Sequence, residues 1–467
     1  MSERKADVVV IGAGPGGYVA AIRLGQLGKK AIVVERDKPG GVCLNIGCIP
    51  SKALITAAKA YEKIGALADL GITVAERKLD FARMMAWKEQ VVTKLTGGVA
   101  QLVKGNGGEI MKGEAFLRRP GLVEVTTPEG VLQLEAKDVI VATGSRPIDI
   151  PGFAPDGKLV IESRHALSLA AVPKRLVVIG GGYIGLELGM MYRKLGTEVT
   201  VVEMLDQVLP GFDDDLAKAV ARSLKKKGIE TILGARAKAW EKSGDGARVT
   251  VVTKEGERQL DCDHVLVTVG RRPNSGGLGL EGCGVAIDQK GFVTVDEQRR
   301  TNVPGIWAIG DVAGQPMLAH KAYREAEVAA EAIAGHPAAF DVRAIPAVVF
   351  TDPEVAVVGL SEREAAQAGR KVKVGKVPFA AVSRAVTSHD TEGYIKVLVD
   401  ELTKEIVGAA IIGPEASELI AEATLAIEMA GFADDVGLTI HAHPTLAEGL
   451  MDAARATLGE AIHILNR

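Results

Sequence analysis

Two kinds of hydrophobic spacing divide this chain. Short runs that are apolar at every position, such as "DVVVIG" (7–12), "AIVVE" (31–35), "RLVVIG" (175–180) and "EVTVVE" (198–203), predict strands buried on both faces. Between the members of each pair, apolar residues recur every three or four positions, which predicts an amphipathic helix. From about residue 346 the pattern changes to a series of strand-like runs, "AVVFTDPEVAVVG", "GYIKVLVD" and "IVGAAIIG". Helical spacing returns around 415–431 and 445–464. An α/β chain with an α+β end is the expected fold class.

The two strand–helix–strand units are copies of one another. They match at Gly12/Gly180, Gly14/Gly182, Gly17/Gly185, Leu27-Gly28/Leu195-Gly196 and Glu35/Glu203. Each carries G-x-G-x-x-G between strand and helix. There the first glycine makes the turn, the second lets a pyrophosphate approach the backbone, and the third packs helix on strand. Phosphate oxygens would sit on free N–H groups at the helix N-terminus, and the glutamate would accept from a ribose. Two Rossmann-like dinucleotide sites are therefore predicted. A second echo, "VIVATGSRP" (139–147) and "VLVTVGRRP" (265–273), puts Thr143-Gly144 and Gly270 at strand exits and predicts boundaries near 149 and 271. "TNVPGIWAIGDV" (301–312) ends a strand at Gly310-Asp311, where the acid can bind a cofactor hydroxyl or cap the next helix. The expected domains are thus 1–149, 150–271, 272–345 and 346–467.

Composition narrows this picture. At 467 residues the chain is too long for one core. A net charge of −3 argues against nucleic acid or an anionic membrane as the main partner. No run of 18 apolar residues occurs, and the N-terminus has neither the order of a secretory signal nor that of a transit peptide. Four cysteines do not make a disulfide scaffold, so a reducing compartment is expected.

Two of those cysteines lie together in "GGVCLNIGCIPSK" (40–52). Zinc is disfavoured because no second ligand pair is nearby, and Cys262 and Cys283 are remote in sequence. No metal site is expected. Inert buried thiols are disfavoured because the pair follows Glu35 closely, and because Pro50 and Ser51 can open a helix whose N-terminus lowers a thiol pKa. In an ideal helix, residues five apart have Cα atoms roughly 8.6 Å apart, from rise and radius. That exceeds the limit of about 7 Å for a disulfide. A Cys43–Cys48 bond therefore needs a distorted turn, which Gly47 and Pro50 permit. A redox-active disulfide is the favoured reading.

Such chemistry needs a base, because only a thiolate attacks a disulfide. "HAHPTLAEG" (441–449) supplies a candidate: Pro444 restricts His443, Thr445 can cap the following helix, and Glu448 can orient the imidazole.

Taken together, "GGVCLNIGCIPSK", the two fingerprints, "AIGDV" and "HAHPTLAE" resemble the FAD-dependent pyridine nucleotide–disulphide oxidoreductases over essentially the whole chain, and within them the members that oxidise dihydrolipoamide. The resemblance implies FAD on the first fingerprint, with Glu35 at its ribose. It puts Thr143, Gly144 and Asp311 at the diphosphate and ribityl region and Met317, Leu318, Ala319 and His320 along the flavin. It also implies Lys52 near flavin N5, paired with Glu187. NAD would occupy Gly180 to Gly185, with Tyr183 as a lid beside Ile184 and with Gly270 at the strand exit. The implied assembly is a homodimer through the C-terminal domain, in which His443 and Glu448 of one subunit serve Cys43 of the other. A lipoyl-bearing acyltransferase or carrier protein of a 2-oxoacid dehydrogenase or glycine cleavage system would bring the substrate, in a bacterial cytosol or a mitochondrial matrix. One departure is "HKAYREAE" (320–327), where the family more often has small or acidic residues and a glycine; it is expected to touch no chemical group.

Glu203 favours NAD over NADP, because a carboxylate repels a 2′-phosphate and no Lys or Arg follows it in "EMLDQVLPGFDDD" (203–215). Glutathione reductases read NADPH with arginines that are missing here. Mercuric reductases need a C-terminal cysteine pair, and a soluble transhydrogenase would lack the disulfide. A purely structural cofactor-binding subunit would leave the cysteines and the histidine motif unexplained.

Overall fold

A computed structural model describes residues 2–466. The first fingerprint strand, Ser2–Ile11, lies between two parallel neighbours, Ala31–Glu35 and Gly130–Val141. Its half Val8-Val9-Val10 is completely buried. Each such valine contributes about 1.5–3 kcal/mol of apolar transfer before chain entropy is counted, which is why an all-apolar run becomes a central strand. Glu109–Lys112 adds a parallel strand outside Ala31–Glu35. On the other flank, the first half of Gly130–Val141 pairs antiparallel with Leu122–Thr127, while its last residues pair parallel with Ile306–Ala308. A segment from far along the chain thus completes the first sheet.

The second unit repeats the plan. Glu230–Ile232, Glu198–Val202, Arg175–Ile179, His264–Val267 and Val160–Ile161 lie in that order, all parallel. A three-stranded antiparallel sheet, Arg236–Ser243, Gly246–Thr253 and Gly256–Cys262, packs beside it. The two strand-exit echoes meet: Ser145–Pro147 pairs antiparallel with Arg271–Pro273. They form one ribbon between the units.

The end of the chain is a five-stranded sheet, ordered Ala347–Val349, Glu354–Gly359, Ile406–Gly413, Tyr394–Asp400, Val372–Pro378, antiparallel throughout. Helices Ala416–Glu428 and Glu448–Leu458 cover it around Ile395, Ile411, Leu450 and Ala453. Lys396 ties this sheet to the second unit. Only 1% exposed, its ammonium lies 3.1 Å from Asp213, 3.1 Å from Asp215 and 2.6 Å from Glu362. Those three acids are close enough to hold a metal ion, but the lysine already supplies the positive charge.

The stretch Gly41–Leu70 contains a window apolar enough to span a membrane by length and composition. In the fold it is broken at Gly47, and its long helix Cys48–Ala66 packs against Tyr183–Lys194 and Phe81–Gly105.

Candidate active site

Each fingerprint glycine has a distinct environment, and the two copies agree. Gly12 and Gly180 adopt φ of +101° and +105°, and an added Cβ would fall 2.5 Å from the Ala142 carbonyl oxygen or 2.6 Å from that of Thr268. Gly17 and Gly185 face the carbonyls of Gly12 and Gly180, at 1.8 and 2.4 Å from such a Cβ. Gly14 and Gly182 would meet nothing within 4 Å. Each of these open glycines caps its helix, Pro15–Gln26 or Tyr183–Lys194, without a side-chain bond to the first-turn N–H groups. A cradle with free donors and no Cβ fits a dinucleotide pyrophosphate.

The glutamates also behave alike. Glu35 accepts from the Ala13 and Asp37 N–H groups, both at 2.7 Å. Glu203 accepts from Gly181 at 2.6 Å and Leu205 at 2.8 Å. Each carboxylate oxygen keeps a lone pair for a ribose hydroxyl.

The cysteine segment rests on the first cradle. A Cβ on Gly41 would lie 2.6 Å from Gly14 Cα, and Gly40 N–H donates to Ala13 O at 2.8 Å. Cys43 sits in the short helix Gly41–Ile46, and Cys48 is the first residue of Cys48–Ala66. The long helix opens at Cys48, so the two cysteines straddle its start. Gly47, at φ −140° and ψ −113°, makes the break between the two helices; Pro50 lies in the first turn of the second. Both cysteines are thiols here and they interact. The hydrogen bond from Cys43 is the largest influence on Cys48; burial opposes it, the Lys52 charge helps, and the thiol is lowered to about 7. Cys43 is pushed up by the same hydrogen bond, by burial and by the charge of Cys48. In the dithiol form Cys48 is thus the thiol drawn toward thiolate, and Cys43 its hydrogen-bond donor.

Lys52, one turn after Cys48, donates to Glu187 at 2.7 Å and lies 4.5 Å over the Phe350 ring. Glu187, buried in the second fingerprint helix, also accepts the Phe350 N–H at 2.9 Å. One carboxylate therefore joins the first unit, the second unit and the end domain. Tyr183 opens that helix beside it. Burial, then Glu187, Asp311 and Cys48, push its hydroxyl up to about 12 against the pull of Arg271, although part of its surface stays open. Ile184 packs on the adjoining core. Gly270, at φ +119°, accepts from Ile148 N–H at 3.0 Å in the linking ribbon.

Thr143 and Gly144 are held by Asn274. Thr143 Oγ1 donates to Asn274 O at 2.7 Å, and Asn274 N–H donates to Gly144 O at 2.9 Å. Asp311 caps no helix, which removes one of its two sequence readings. It lies in a 3₁₀ turn and accepts from Ser145 Oγ at 2.5 Å, while Arg271 donates to that Oγ at 2.8 Å. Met317 and Leu318 precede the helix Ala319–Ile333, and His320 meets Pro346 O at 2.7 Å.

The segment 320–327 corrects an expectation, because it does reach the site. Buried Glu325 accepts from Gly310 N–H at 2.7 Å and from Arg299 at 2.9 Å. Lys321 donates to Gly314 O at 3.1 Å and pairs with Glu325 at 3.0 Å. The backbone next to Asp311 is therefore fixed by this helix. Tyr323 hydrogen-bonds Tyr18 of the first fingerprint helix at 3.0 Å.

His443 Nδ1 lies 2.9 Å from Glu448 Oε1, and the imidazole is 69% exposed. Thr445 does not cap the helix. Its Oγ1 donates to Ala442 O, and Glu448, the first helical residue, accepts the Thr445 N–H at 2.8 Å. Against burial, that N–H and His443 hold the Glu448 carboxyl below its ordinary value. Among the described residues Glu448 is the sole hydrogen-bond partner of His443. Just before it in the chain, Ile440 is 96% and Leu438 77% exposed. His441 pairs with Glu422 at 2.8 Å instead.

Sequence reasoning passed over Ser145, Arg271, Asn274, Tyr18 and Tyr323. Ser145 and Arg271 lie in the flagged "GSRP" and "GRRP" echoes, Asn274 directly follows the second, and Tyr323 lies in the flagged departure at 320–327, so position was the available signal; Tyr18 offered none.

Residues 6–326 match the family described as pyridine nucleotide-disulphide oxidoreductase, and residues 345–454 match its dimerisation domain. The chain is 50% identical over 463 residues to a dihydrolipoyl dehydrogenase of Geobacillus stearothermophilus, covering 99% of this chain and 98% of that one. It is 49% identical over 464 residues to one from Thermus scotoductus, covering 99% of each. The crystal structure of LpdA from Mycobacterium tuberculosis superposes with a TM-score of 0.90 at 29% identity, covering 97% of this chain and 99% of that one.

Proposed function

Because this chain belongs to the pyridine nucleotide-disulphide oxidoreductases, we propose that it oxidises a protein-bound dihydrolipoyl group to its cyclic disulfide and passes the electrons to NAD⁺. The observation that carries the reading is the cysteine pair seated on the first cradle, with its asymmetric thiols beside Lys52–Glu187. In the resting enzyme Cys43 and Cys48 form a disulfide. One substrate thiol gives its proton to His443 and attacks Cys43 Sγ as the thiolate; the S–S bond breaks and Cys48 leaves as a thiolate. The second substrate thiol attacks the mixed disulfide, and its proton passes to Cys43 as the lipoyl ring disulfide forms and Cys43 is released as a thiol. The substrate loses two electrons and the cysteine pair gains them. Bound FAD supplies the route by which those electrons reach NAD⁺ as hydride. Lys52 holds positive charge beside Cys48, and Glu448 fixes the imidazole orientation.

Residues 1–149 and 272–345 would hold FAD, 150–271 NAD, and 346–467 the subunit contact. The dimerisation-domain match supports a homodimer. The exposed His443, preceded in the chain by exposed Leu438 and Ile440, fits service to Cys43 of a second copy. The lipoyl group would arrive on an acyltransferase or carrier protein of a 2-oxoacid dehydrogenase or glycine cleavage system, in the cytoplasm. A glutathione-reductase-like reading is not favoured at this identity to dihydrolipoyl dehydrogenases.

Cys43→Ser tests the assignment. The variant should retain FAD and show the long-wavelength absorbance of a thiolate against flavin, yet lose lipoamide turnover. Full turnover would remove Cys43 from the mechanism. Comparable kcat/KM with NADPH and NADH would remove Glu203 from coenzyme choice.

A further inference from the structure

The turn Phe350–Pro353 joins the first two strands of the end sheet and lies along the second fingerprint helix. Residues 187, 190 and 194 of that helix are three and four apart, so they share one face, and each meets the turn. Glu187 accepts the Phe350 N–H at 2.9 Å, Met190 Sδ accepts the Asp352 N–H at 3.2 Å, and the Lys194 ammonium pairs with the Asp352 carboxylate. An extended chain advances about 6.6 Å from 350 to 352, and the helix rises about 10.5 Å from 187 to 194. The lysine and aspartate side chains span the difference. The turn is thus pinned at both ends.

Asp352 is the centre of a wider clasp. Lys194, buried at the end of its helix, also pairs with Glu62 of Cys48–Ala66 at 2.8 Å. Lys227, just past Asp214–Lys226, lies 2.9 Å from Asp352 and 3.5 Å from Glu62. Ser223 Oγ donates to Asp352 O at 2.6 Å. Two ammoniums balance two carboxylates, and Asp390 is a further acid that feels Asp352. The helix Cys48–Ala66 is therefore tied twice to the second fingerprint helix, through Lys52–Glu187 at the cysteine end and Glu62–Lys194 at the other. The turn runs between the two ties.

Its near end has chemical consequences. Lys52 stands one turn after Cys48 on the same helix face, and its ammonium has two other companions, the Glu187 carboxylate and the Phe350 ring. If Phe350 slipped, Glu187 would lose its amide donor and turn its second oxygen on Lys52, drawing the ammonium away from the sulfur. The other titratable groups about Cys48 are Cys43, Glu187, Tyr18, Tyr183 and Tyr323; of these, Glu187 is the one the turn bonds.

We propose that Asp352 is a positioning residue for the redox centre: by anchoring the far end of the turn it holds Phe350 against Glu187 and Lys52, and so fixes how the Lys52 charge is shared between Glu187 and Cys48. The inference rests on Cys48 as the flavin-facing sulfur.

The test follows the pH midpoint of thiolate–flavin absorbance in NADH-reduced holoenzyme. Asp352→Asn should raise it by about half a unit, roughly a threefold fall in the ionisation constant of Cys48, and Asp352→Glu should restore most of the parent value. Loss of an anion acting through space alone would lower the midpoint, so the sign separates positioning from a simple field effect. In a Lys52→Met background, Asp352→Asn should add nothing. An unmoved or lowered midpoint in Asp352→Asn with FAD content intact, or an equal rise in the Lys52→Met background, overturns the proposal. Ser223→Ala keeps every charge and frees the Asp352 carbonyl. Its midpoint should rise too, and an unmoved one overturns the proposal even if Asp352→Asn fails to fold. Failure of the underlying reading would show separately, as the absence of this absorbance in the reduced parent enzyme.

Discussion

Replacing Lys52 with methionine should change which cysteine states exist at neutral pH. In the parent protein Cys48 titrates near 7, so about half is thiolate at pH 7. The hydrogen bond from Cys43 is the first cause, burial acts against it, and the Lys52 ammonium is the next stabilising influence. Methionine preserves most of the stem and removes the charge. An opposite charge nearby is worth roughly 1–3 pKa units; losing even one leaves about a tenth of Cys48 as thiolate at pH 7. Glu187→Gln should act in the opposite sense, because Glu187 disfavours the thiolate. Lys52 would keep its charge, and the glutamine oxygen can still accept the Phe350 N–H. The assay is the pH dependence of thiolate–flavin absorbance in NADH-reduced enzyme. The midpoint should move above 8 in Lys52→Met and below 7 in Glu187→Gln. Coincident midpoints in all three proteins would refute the electrostatic argument.

Lys396→Met should destabilise the junction between the second unit and the end domain. Breaking a fully buried ion pair costs about 3–5 kcal/mol; Asp215 and Glu362 reach water, so about 2–3 kcal/mol is expected, read as a lower denaturant midpoint. With the ammonium gone, added Mg²⁺ or Ca²⁺ should recover part of the loss, since three carboxylates would then face one another. Despite its burial, Asp215 is held at about 2 by Lys376 and Lys396. Its contribution is therefore present above the unfolded value of about 4 and is lost as pH falls toward 2. Acid unfolding in Asp215→Asn should show a shallower slope over that window. Glu448→Gln should lower lipoamide turnover by about 10²–10⁴, the usual range for a general-base contribution, while NADH oxidation by an artificial electron acceptor stays at the parent rate.

The two fingerprints were readable because each glycine answers a local demand: a positive φ at Gly12 and Gly180, contact with a carbonyl at Gly17 and Gly185, and open space at Gly14 and Gly182. Local geometry likewise made the broken turn at Gly47 legible, with the two cysteines on either side of the long helix's start. What stayed hidden depends on long-range pairing. The Arg271–Ser145–Asp311 chain joins three remote segments, and nothing near any one of them announces the others. The strand Val372–Pro378 was missed because three lysines and a glycine within or beside it mask the alternation, and one of them, Lys376, has its partner Asp215 in the second unit. Thr445 was misread because its hydroxyl donates to the Ala442 carbonyl instead of accepting from a first-turn N–H.

The shared behaviour of Glu35 and Glu203 bears on how the cofactors arrive. Each carboxylate already bridges two backbone amides across its turn, so its rotamer is chosen before a ribose approaches. Freezing a flexible side chain on binding costs about 0.5–1.5 kcal/mol. Neither site incurs that loss at its acid, and the entropy of both was surrendered once, when the chain folded.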